Sequence, residues 1–362
     1  MSRLLPLEAG VPQGSILGPI FYTIFTNELP QVVHEADCPT RDVSGASIFS
    51  IQCQECGGLC CYADDSTYTV TGKDPEQLTA TLSRKYGVMA DFLTDNKLKV
   101  NDDKTHLLVM ATVQKRRHVD TSLTRISTPS STVTPSNTER LLGAEICTDM
   151  KWKEHILESD QSLVKDLNKR LGALKKIQKK ASFKSRKLIA NGIFMSKLIY
   201  LIPLWSGCEE YLVKALQVIQ NKAARSVSKL SYLTPAKVLL KTCGWLSVRQ
   251  LMAYHSLVLL HKTLEHQSPK YLYDKVTADG QFKYKTRQAS ECPREFSFNV
   301  QHPKDNGTIR QDSNTKLGIS KKGWCWKSVV LYNTLPTNIR LEKKLSKYKT
   351  RLKTWVTDNI SL

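Results

Sequence analysis

At 362 residues, 41% hydrophobic and 24% charged, the chain has the ordinary make-up of a globular protein with room for two or three domains. Its net charge of +20 is not ordinary and is unevenly spread: 8 basic and 14 acidic residues up to Met110 net −6, leaving 45 basic and 19 acidic beyond for a net of +26. An acidic front and a basic back point to cation handling and polyanion binding rather than to a surface charged for solubility alone. Ten cysteines, four of them crowded between Cys53 and Cys61, with no signal peptide in view, predict a reducing, intracellular setting and exclude a small secreted disulfide scaffold. The most apolar stretch, 193–205, is broken by Lys197 and Pro203, which excludes a membrane span.

Taken in chain order, Gly10-Val11-Pro12-Gln13-Gly14 reads as a turn leading into an apolar run at 16–29. Residues 31–57 lack periodicity and are expected to form a loop or insertion. The stretch 59–70 surrounds Tyr62-Ala63-Asp64-Asp65 with β-forming residues, which predicts a hairpin carrying both aspartates near its turn. Leu78, Leu82, Tyr86, Met89 and Leu93 recur at helical spacing behind Asp74-Pro75, so a helix is expected over 75–95. Leu107 to Val113 reads as a strand, and the Ser/Thr/Pro-rich 115–138 as an exposed connection.

Helices are then expected throughout. Leu163, Leu167, Leu171, Leu174 and Ile177 make one apolar stripe in a lysine-dense segment, 161–180. Further helical patterns cover about 185–202, 210–229 and 246–265. The stretch 266–322 is polar and patternless. A last apolar cluster (Trp324, Trp326, Val329, Leu331, Tyr332) precedes a basic helix with Leu345, Tyr348, Leu352 and Trp355 on one face.

Asp64 and Asp65 carry the chemistry. Adjacent carboxylates at a tight turn repel each other unless a cation neutralises them. Phosphoryl-transfer enzymes use such groups to hold two divalent ions about 3.5–4 Å apart, stabilising the attacking and leaving oxygens. An Asp-Asp pair alone is weak evidence, since turns favour aspartate for local reasons. Its context decides the reading. Gly10 to Pro19 resembles motif B of reverse transcriptases, Tyr62-Ala63-Asp64-Asp65 motif C, and 96–108, with Asn101-Asp102-Asp103-Lys104-Thr105, motif D. Arg140-Leu141-Leu142-Gly143, with Trp152 and His155 behind it, is similar to the motif E hairpin of LINE-type (non-LTR) retrotransposon enzymes. All four come in family order. Gln220 to Arg225, Gly244 to Arg249 and Tyr332 to Pro336 resemble the thumb and C-terminal signatures of jockey-like elements.

That resemblance implies RNA-templated DNA synthesis from dNTPs, with an RNA template, a DNA primer and Mg2+. It makes Asp64 and Asp65 the metal carboxylates and sets Tyr62 beneath the primer end. Gln13, Gly14 and Ser15 come to lie along the nascent base pair, where a side-chain-free backbone permits close approach. Lys104 is placed near the incoming phosphates, as proton donor to pyrophosphate. Against these stand plainer roles: glycines bracketing a loop, and a solvated lysine in a turn. The chain departs from the family in one respect. Nine residues precede Gly10, the sole acid among them is Glu8, and the motif A aspartate of the two-metal site is absent. The chain therefore resembles an enzyme truncated before motif A, inactive by itself.

Cys53-x2-Cys56-x3-Cys60-Cys61 has the Cys-x2-Cys spacing of a zinc half-site, with Gly57-Gly58 as the turn; the competing reading makes Cys60 and Cys61 small strand hydrophobes. Lys175, Lys176, Lys179 and Lys180 lie opposite the apolar stripe, as a thumb gripping a phosphate backbone requires, although such a face is more often merely solvated. The C-terminal aromatics are expected in a core more than stacked on bases. The expected architecture is α+β: a partial polymerase palm (1–150), an antiparallel sheet with helices, then an all-α thumb (151–265) and a basic C-terminal region (266–362). The expected function is a reverse transcriptase fragment of a mobile element. The rivals are a non-catalytic nucleic-acid-binding remnant and an inert reading frame without a stable fold. Nuclear action follows from the family resemblance only, and the sequence is silent on oligomeric state.

Overall fold

A computed structural model describes residues 15–36, 44–47, 50–53, 57–72, 74–98, 100–111, 124–128, 132–270, 272–273 and 324–361. The chain divides into two compact units, residues 1–139 and 140–362. Helix and sheet are mixed in the first, and helices dominate the second.

The first unit opens with two short helices, α1 (Gly18–Phe25) and α2 (Leu29–Glu35), each with a proline in its first turn, where a missing N–H costs nothing. A four-stranded antiparallel meander follows: β1 (Ser44–Ser47), β2 (Ser50–Cys53), β3 (Gly57–Tyr62) and β4 (Asp65–Thr69). The loop expected over 31–57 is therefore corrected. It begins inside α2 and contributes two strands, whose four-residue sequences, SGAS and SIQC, are too short to stand out. Gly57 has φ +92°, and a Cβ there would lie 2.1 Å from the Thr69 carbonyl oxygen, so glycine is needed for β4 to approach.

Helix α3 (Pro75–Asp95) matches its sequence signal, capped by Asp74, whose carboxylate accepts from the Glu76 N–H at 3.1 Å. It packs with α2 over the sheet: Leu29, Val33 and Leu59 are buried, with Cys61, Tyr68, Val88, Met89, Phe92 and Leu93 against them. The fully buried Lys85 donates to the Val33 and His34 carbonyls, satisfying the orphan end of α2. The strand expected from Leu107 is short, β5 (Leu107–Leu108), and pairs in parallel with β8 (Pro135–Ser136). Between them β6 (Ile126–Ser127) pairs with β7 (Thr132–Val133).

A hairpin, β9 (Thr138–Leu141) and β10 (Ala144–Cys147), runs from the last residues of the first unit into the second. Its two-residue turn, Leu142-Gly143, has both φ values positive (47° and 83°), the backbone of a turn whose twist matches its strands. Tyr200 braces it, donating from its hydroxyl to the Leu142 carbonyl at 2.8 Å. The helical core then assembles from α4 (Leu163–Ile177), α5 (Phe183–Ala190), α6 (Ser196–Ile199), α7 (Ile202–Trp205), α8 (Glu210–Ser228), α9 (Ala236–Cys243) and α10 (Val248–His266). The Leu163–Leu174 stripe is buried as expected, among Phe194, Leu198, Trp205, Leu212, Leu216 and Leu239. Each such side chain contributes roughly 1.5–3 kcal/mol on burial. The helix expected over 185–202 is instead broken: a π-type turn at Asn191–Met195 and a left-handed Leu201 (φ 57°) split it into three pieces.

Polar latches close this core. Gln220, fully buried on α8, donates to the Leu246 carbonyl at 2.8 Å, while Gln217 accepts from the Val248 N–H at 2.8 Å. Ser247 caps α10 reciprocally with Gln250, whose amide reaches on to the Ile360 carbonyl at 2.9 Å. The C-terminal helices α11 (Trp324–Asn333), α12 (Thr337–Arg340) and α13 (Leu345–Asn359) pack on α10 through Leu257, Leu260, Val329, Tyr332, Tyr348 and Leu352. Tyr332, Trp324 and Trp355 serve this core, the favoured of their two expected uses; the Trp326 side chain lies outside the described residues.

Candidate active site

Asp64 and Asp65 sit at the tip of the β3–β4 hairpin. Tyr62 pairs with Asp65 across a two-residue turn, Ala63-Asp64, and all four residues are exposed. Ala63 has φ +52°, a left-handed conformation that costs an L-residue about 1–2 kcal/mol. The turn is thus held against a local preference, the kind of outlier that clusters at functional sites. Strand alternation explains the orientation. Leu59 and Cys61 face the helices, so Tyr62, one residue on, faces out. Its cross-strand partner Asp65 lies on the same outward side.

Helix α1 brings a third group to the tip. Tyr22 has its hydroxyl pKa raised first by burial, then by the Asp64 charge and by Cys61. Sequence reasoning missed Tyr22; its position four residues after Gly18, on the helix that follows the Gly-rich turn, was the available signal. Ser15 heads this helix: its hydroxyl accepts from the Gly18 N–H at 2.9 Å, a capping role that leaves it at the helix mouth. Gln13 and Gly14 lie outside the described residues. Lys104 ends a single 3-10 turn, Asp102–Lys104, with its side chain exposed. That turn is pinned by the Tyr86 hydroxyl, which donates to the Asp102 carboxylate. The bond and burial together push the Tyr86 hydroxyl up, to about 12, burial being the larger cause.

Among the described residues no three His, Cys, Asp or Glu side chains come close enough to hold a metal ion. Asp64 and Asp65 supply two carboxylates on adjacent residues and do not by themselves fit a two-metal centre. Of the four clustered cysteines, Cys60 and Cys61 have described side chains. Cys60 and Cys61 are neighbours on β3, one exposed and one turned toward the helices, so alternation keeps both sulfurs from facing one ion. The Cys61 sulfur instead accepts from the Ser66 hydroxyl at 3.6 Å, and burial raises its pKa. The Cys53 side chain and all of Cys56 lie outside the described residues.

In the second unit, Lys175, Lys176, Lys179 and Lys180 are all exposed, on and just beyond the last turn of α4. Cations there also complement the partial negative charge of the helix C-terminus. Arg170, by contrast, is tied down: it forks onto Asp166 at 2.9 and 3.3 Å and donates to the Ile193 carbonyl at 2.8 Å. Burial raises the Asp166 pKa, but the Arg170 bond and the Arg170 and Lys197 charges outweigh it and hold the carboxyl below its usual range. His155, buried behind the β9–β10 hairpin, accepts from the Glu145 N–H through Nδ1 at 3.3 Å. Its pKa is lowered to about 4, by burial first and then by the charges of Lys197 and Arg140. It is a neutral structural acceptor. No described helix is long and apolar enough to cross a membrane.

The chain is similar in sequence to known proteins. Residues 2–146 match the family described as reverse transcriptase (RNA-dependent DNA polymerase). Over 223 residues the chain is 22% identical to the probable RNA-directed DNA polymerase from transposon X-element of Drosophila melanogaster, covering 61% of this chain and 22% of that protein. Over 227 residues it is 21% identical to the RNA-directed DNA polymerase from mobile element jockey of the same organism, covering 63% of this chain and 22% of that one. The chain thus spans about a fifth of the length of these curated relatives. No solved structure matches it significantly.

Proposed function

We propose that this chain is the palm and thumb portion of a retrotransposon reverse transcriptase, contributing the carboxylate turn and a phosphate-gripping helix to RNA-templated DNA synthesis. The observation that carries the reading is the position of Asp64 and Asp65 at the outward tip of a strained hairpin, within the segment that matches the family. The chemistry of the family draws on divalent metal, and Asp64 and Asp65 are the two donors this turn would offer to Mg2+; a further carboxylate is needed to complete the set. Tyr62, exposed beside Asp65, is suited to pack beneath a primer end. Ser15, at the mouth of α1, is suited to the edge of a nascent base pair, as Gln13 and Gly14 are by family position. Lys104, exposed on its 3-10 turn, is assigned to the phosphates of a dNTP. Lys175, Lys176, Lys179 and Lys180 are assigned to the backbone of the template–primer duplex. Action in the nucleus is the setting this function implies.

A second reading, binding of nucleic acid without catalysis, is favoured by one observation: no third metal donor joins the aspartates among the described residues. One experiment separates the two. The chain is given a recessed RNA–DNA primer–template, dNTPs and Mg2+ or Mn2+. Binding without extension is expected of the chain alone. Extension that disappears in Asp64→Ala would instead show that the chain completes its own site. Failure to bind the duplex would sink both readings.

A further inference from the structure

The turn between α8 and α9 presents large apolar side chains to solvent, where turns ordinarily carry small polar ones. The Thr234 N–H donates to the Ser231 carbonyl at 3.0 Å, which makes Tyr232 and Leu233 the two central residues of a hydrogen-bonded turn. The Ser231 hydroxyl also accepts from the Leu233 N–H at 3.3 Å. Lys229, at φ 60°, ends α8 before the turn, and Pro235 opens α9 after it, so the tip is anchored at both ends. On it Tyr232 is 83% and Leu233 87% exposed; Leu230 before them and Val238 after them are exposed too. Apolar residues scattered singly over a surface need no explanation. Four within nine positions, two of them at a fixed tip, mark a contact surface.

Charge around the turn selects the partner. No Asp or Glu stands between Tyr211 and Leu264, a span that holds eight Lys and Arg. Lys222, Arg225 and Lys229 follow one another at spacings of three and four, which sets them along one side of the end of α8. Lys229 and Lys237 are exposed on either side of the tip. Helices α4, α5, α9 and α10 pack on α8, and the acids that these five helices carry are Asp166, Glu210 and Glu265. Each is directed elsewhere: Asp166 is held by Arg170 and Lys197, Glu210 by Arg249, and Glu265 acts on His261 and Tyr332. The Arg225 guanidinium lies over the Tyr232 ring, 5.2 Å from its centroid, and at 83% exposure the ring keeps its other face open. An open aromatic face among unneutralised cations suits a ligand with flat π surfaces and regularly spaced anions. We propose that the Ser231–Thr234 turn is a stacking platform for single-stranded nucleic acid. One base lies on the open face of Tyr232, whose ring is then sandwiched between that base and Arg225, while Lys222, Lys229 and Lys237 neutralise neighbouring phosphates. A duplex keeps its base faces against one another and offers none to the ring along its length, so the platform selects single strands. RNA and DNA serve alike, because every base has a π face. The platform is independent of the proposed polymerase role, since none of its residues belongs to the carboxylate turn or to the α4 lysine face.

The test titrates the full chain against a labelled oligothymidylate by anisotropy, with the same strand annealed to oligodeoxyadenylate as the duplex control. Tyr232→Ala, an exposed change that leaves the packing alone, should weaken single-strand binding by about five- to hundredfold, the loss of one base stack. It should leave duplex binding at the parent value. Tyr232→Phe should retain single-strand binding. Salt dependence separates stacking from charge. Tyr232→Ala should leave the slope unchanged, whereas Lys229→Glu/Lys237→Glu should flatten it by about 0.7 for each phosphate no longer neutralised. Irradiating the complex with a bromouracil-substituted strand should crosslink Tyr232, read by mass spectrometry of the digested chain. Single-strand affinity equal in the parent and Tyr232→Ala overturns the proposal; that result is expected if the tip seats a protein or a second copy of this chain. Equal losses on single strand and duplex overturn it too, because the ring then meets something other than a base face. If the duplex fails to bind while the single strand binds through Tyr232, the platform stands and the role given to the α4 lysines falls.

Discussion

His155 gives the sharpest quantitative handle on the helical unit. Its imidazole must stay neutral to accept from the Glu145 N–H, and burial with the nearby Lys197 and Arg140 charges lowers its pKa to about 4. An unfolded histidine titrates near 6.5. Between those values the unfolded chain takes up a proton that the folded chain refuses, so stability present above pH 6.5 is lost as pH falls and levels off below about 4. The separation corresponds to about 3 kcal/mol in total, and to about 2 kcal/mol already at pH 5. At 6% exposure the side chain is little screened by solvent, so the figure needs no large discount. The perturbation is His155→Gln, whose amide oxygen can accept the same N–H but does not titrate. Denaturant unfolding of parent and variant is followed at pH 8, 7, 6 and 5. Subtracting the two curves cancels the other titrating groups, including His255 and His261, whose pKa values burial also lowers. The parent should lose about 2 kcal/mol relative to the variant between pH 7 and pH 5. A difference that stays constant with pH would refute the reasoning, because the histidine would then titrate alike in both states.

Changing Lys175, Lys176, Lys179 and Lys180 together to Glu should weaken binding to all nucleic-acid sequences alike and flatten the salt slope by about 0.9 for each phosphate no longer neutralised. For four phosphates that is about two decades of affinity between 50 and 200 mM salt, read by anisotropy; a salt-independent parent affinity would leave the α4 face without its role. Gln220→Leu removes the buried donor to the Leu246 carbonyl and should cost roughly 1–3 kcal/mol in thermal unfolding. An unchanged melting temperature would show that the latch carries nothing. Gly143→Ala, at φ +83° and with a Tyr200 ring carbon 3.3 Å from a new Cβ, should destabilise the β9–β10 hairpin by about 1 kcal/mol or more. For the carboxylate turn, Mn2+ should broaden the amide resonances of 57–69 in the parent and not in Asp64→Asn/Asp65→Asn. Equal broadening in both would place the cation elsewhere.

Much of this protein was legible from local pattern. The hairpin around Asp64-Asp65 was marked by β-branched and aromatic residues flanking a turn. Helix α3 was marked by its Asp74-Pro75 start, and α4 by leucines at helical spacing. In each, the information lies within one element, where a side chain's periodicity and cap fix its own backbone. Motif order along the chain pointed to the family, because Gly-rich turn, carboxylate turn and motif E hairpin are each short and local. Tertiary structure decided what pattern could not carry. Strand β2 forms on the edge of β3, and β1 in turn on the edge of β2; each is only four residues long, too short to stand out in the sequence. The 185–202 helix breaks at Leu201, two residues before Pro203, and Tyr200 just before the break hydrogen-bonds the β9–β10 turn. Gln220 and the Gly244–Arg249 signature, read from sequence as marks of a family, turn out to be polar latches joining α8, α10 and α13. Hydrogen bonds and cavities between distant elements depend on where the backbone has already been placed, so a single sequence shows the donors without showing what they meet.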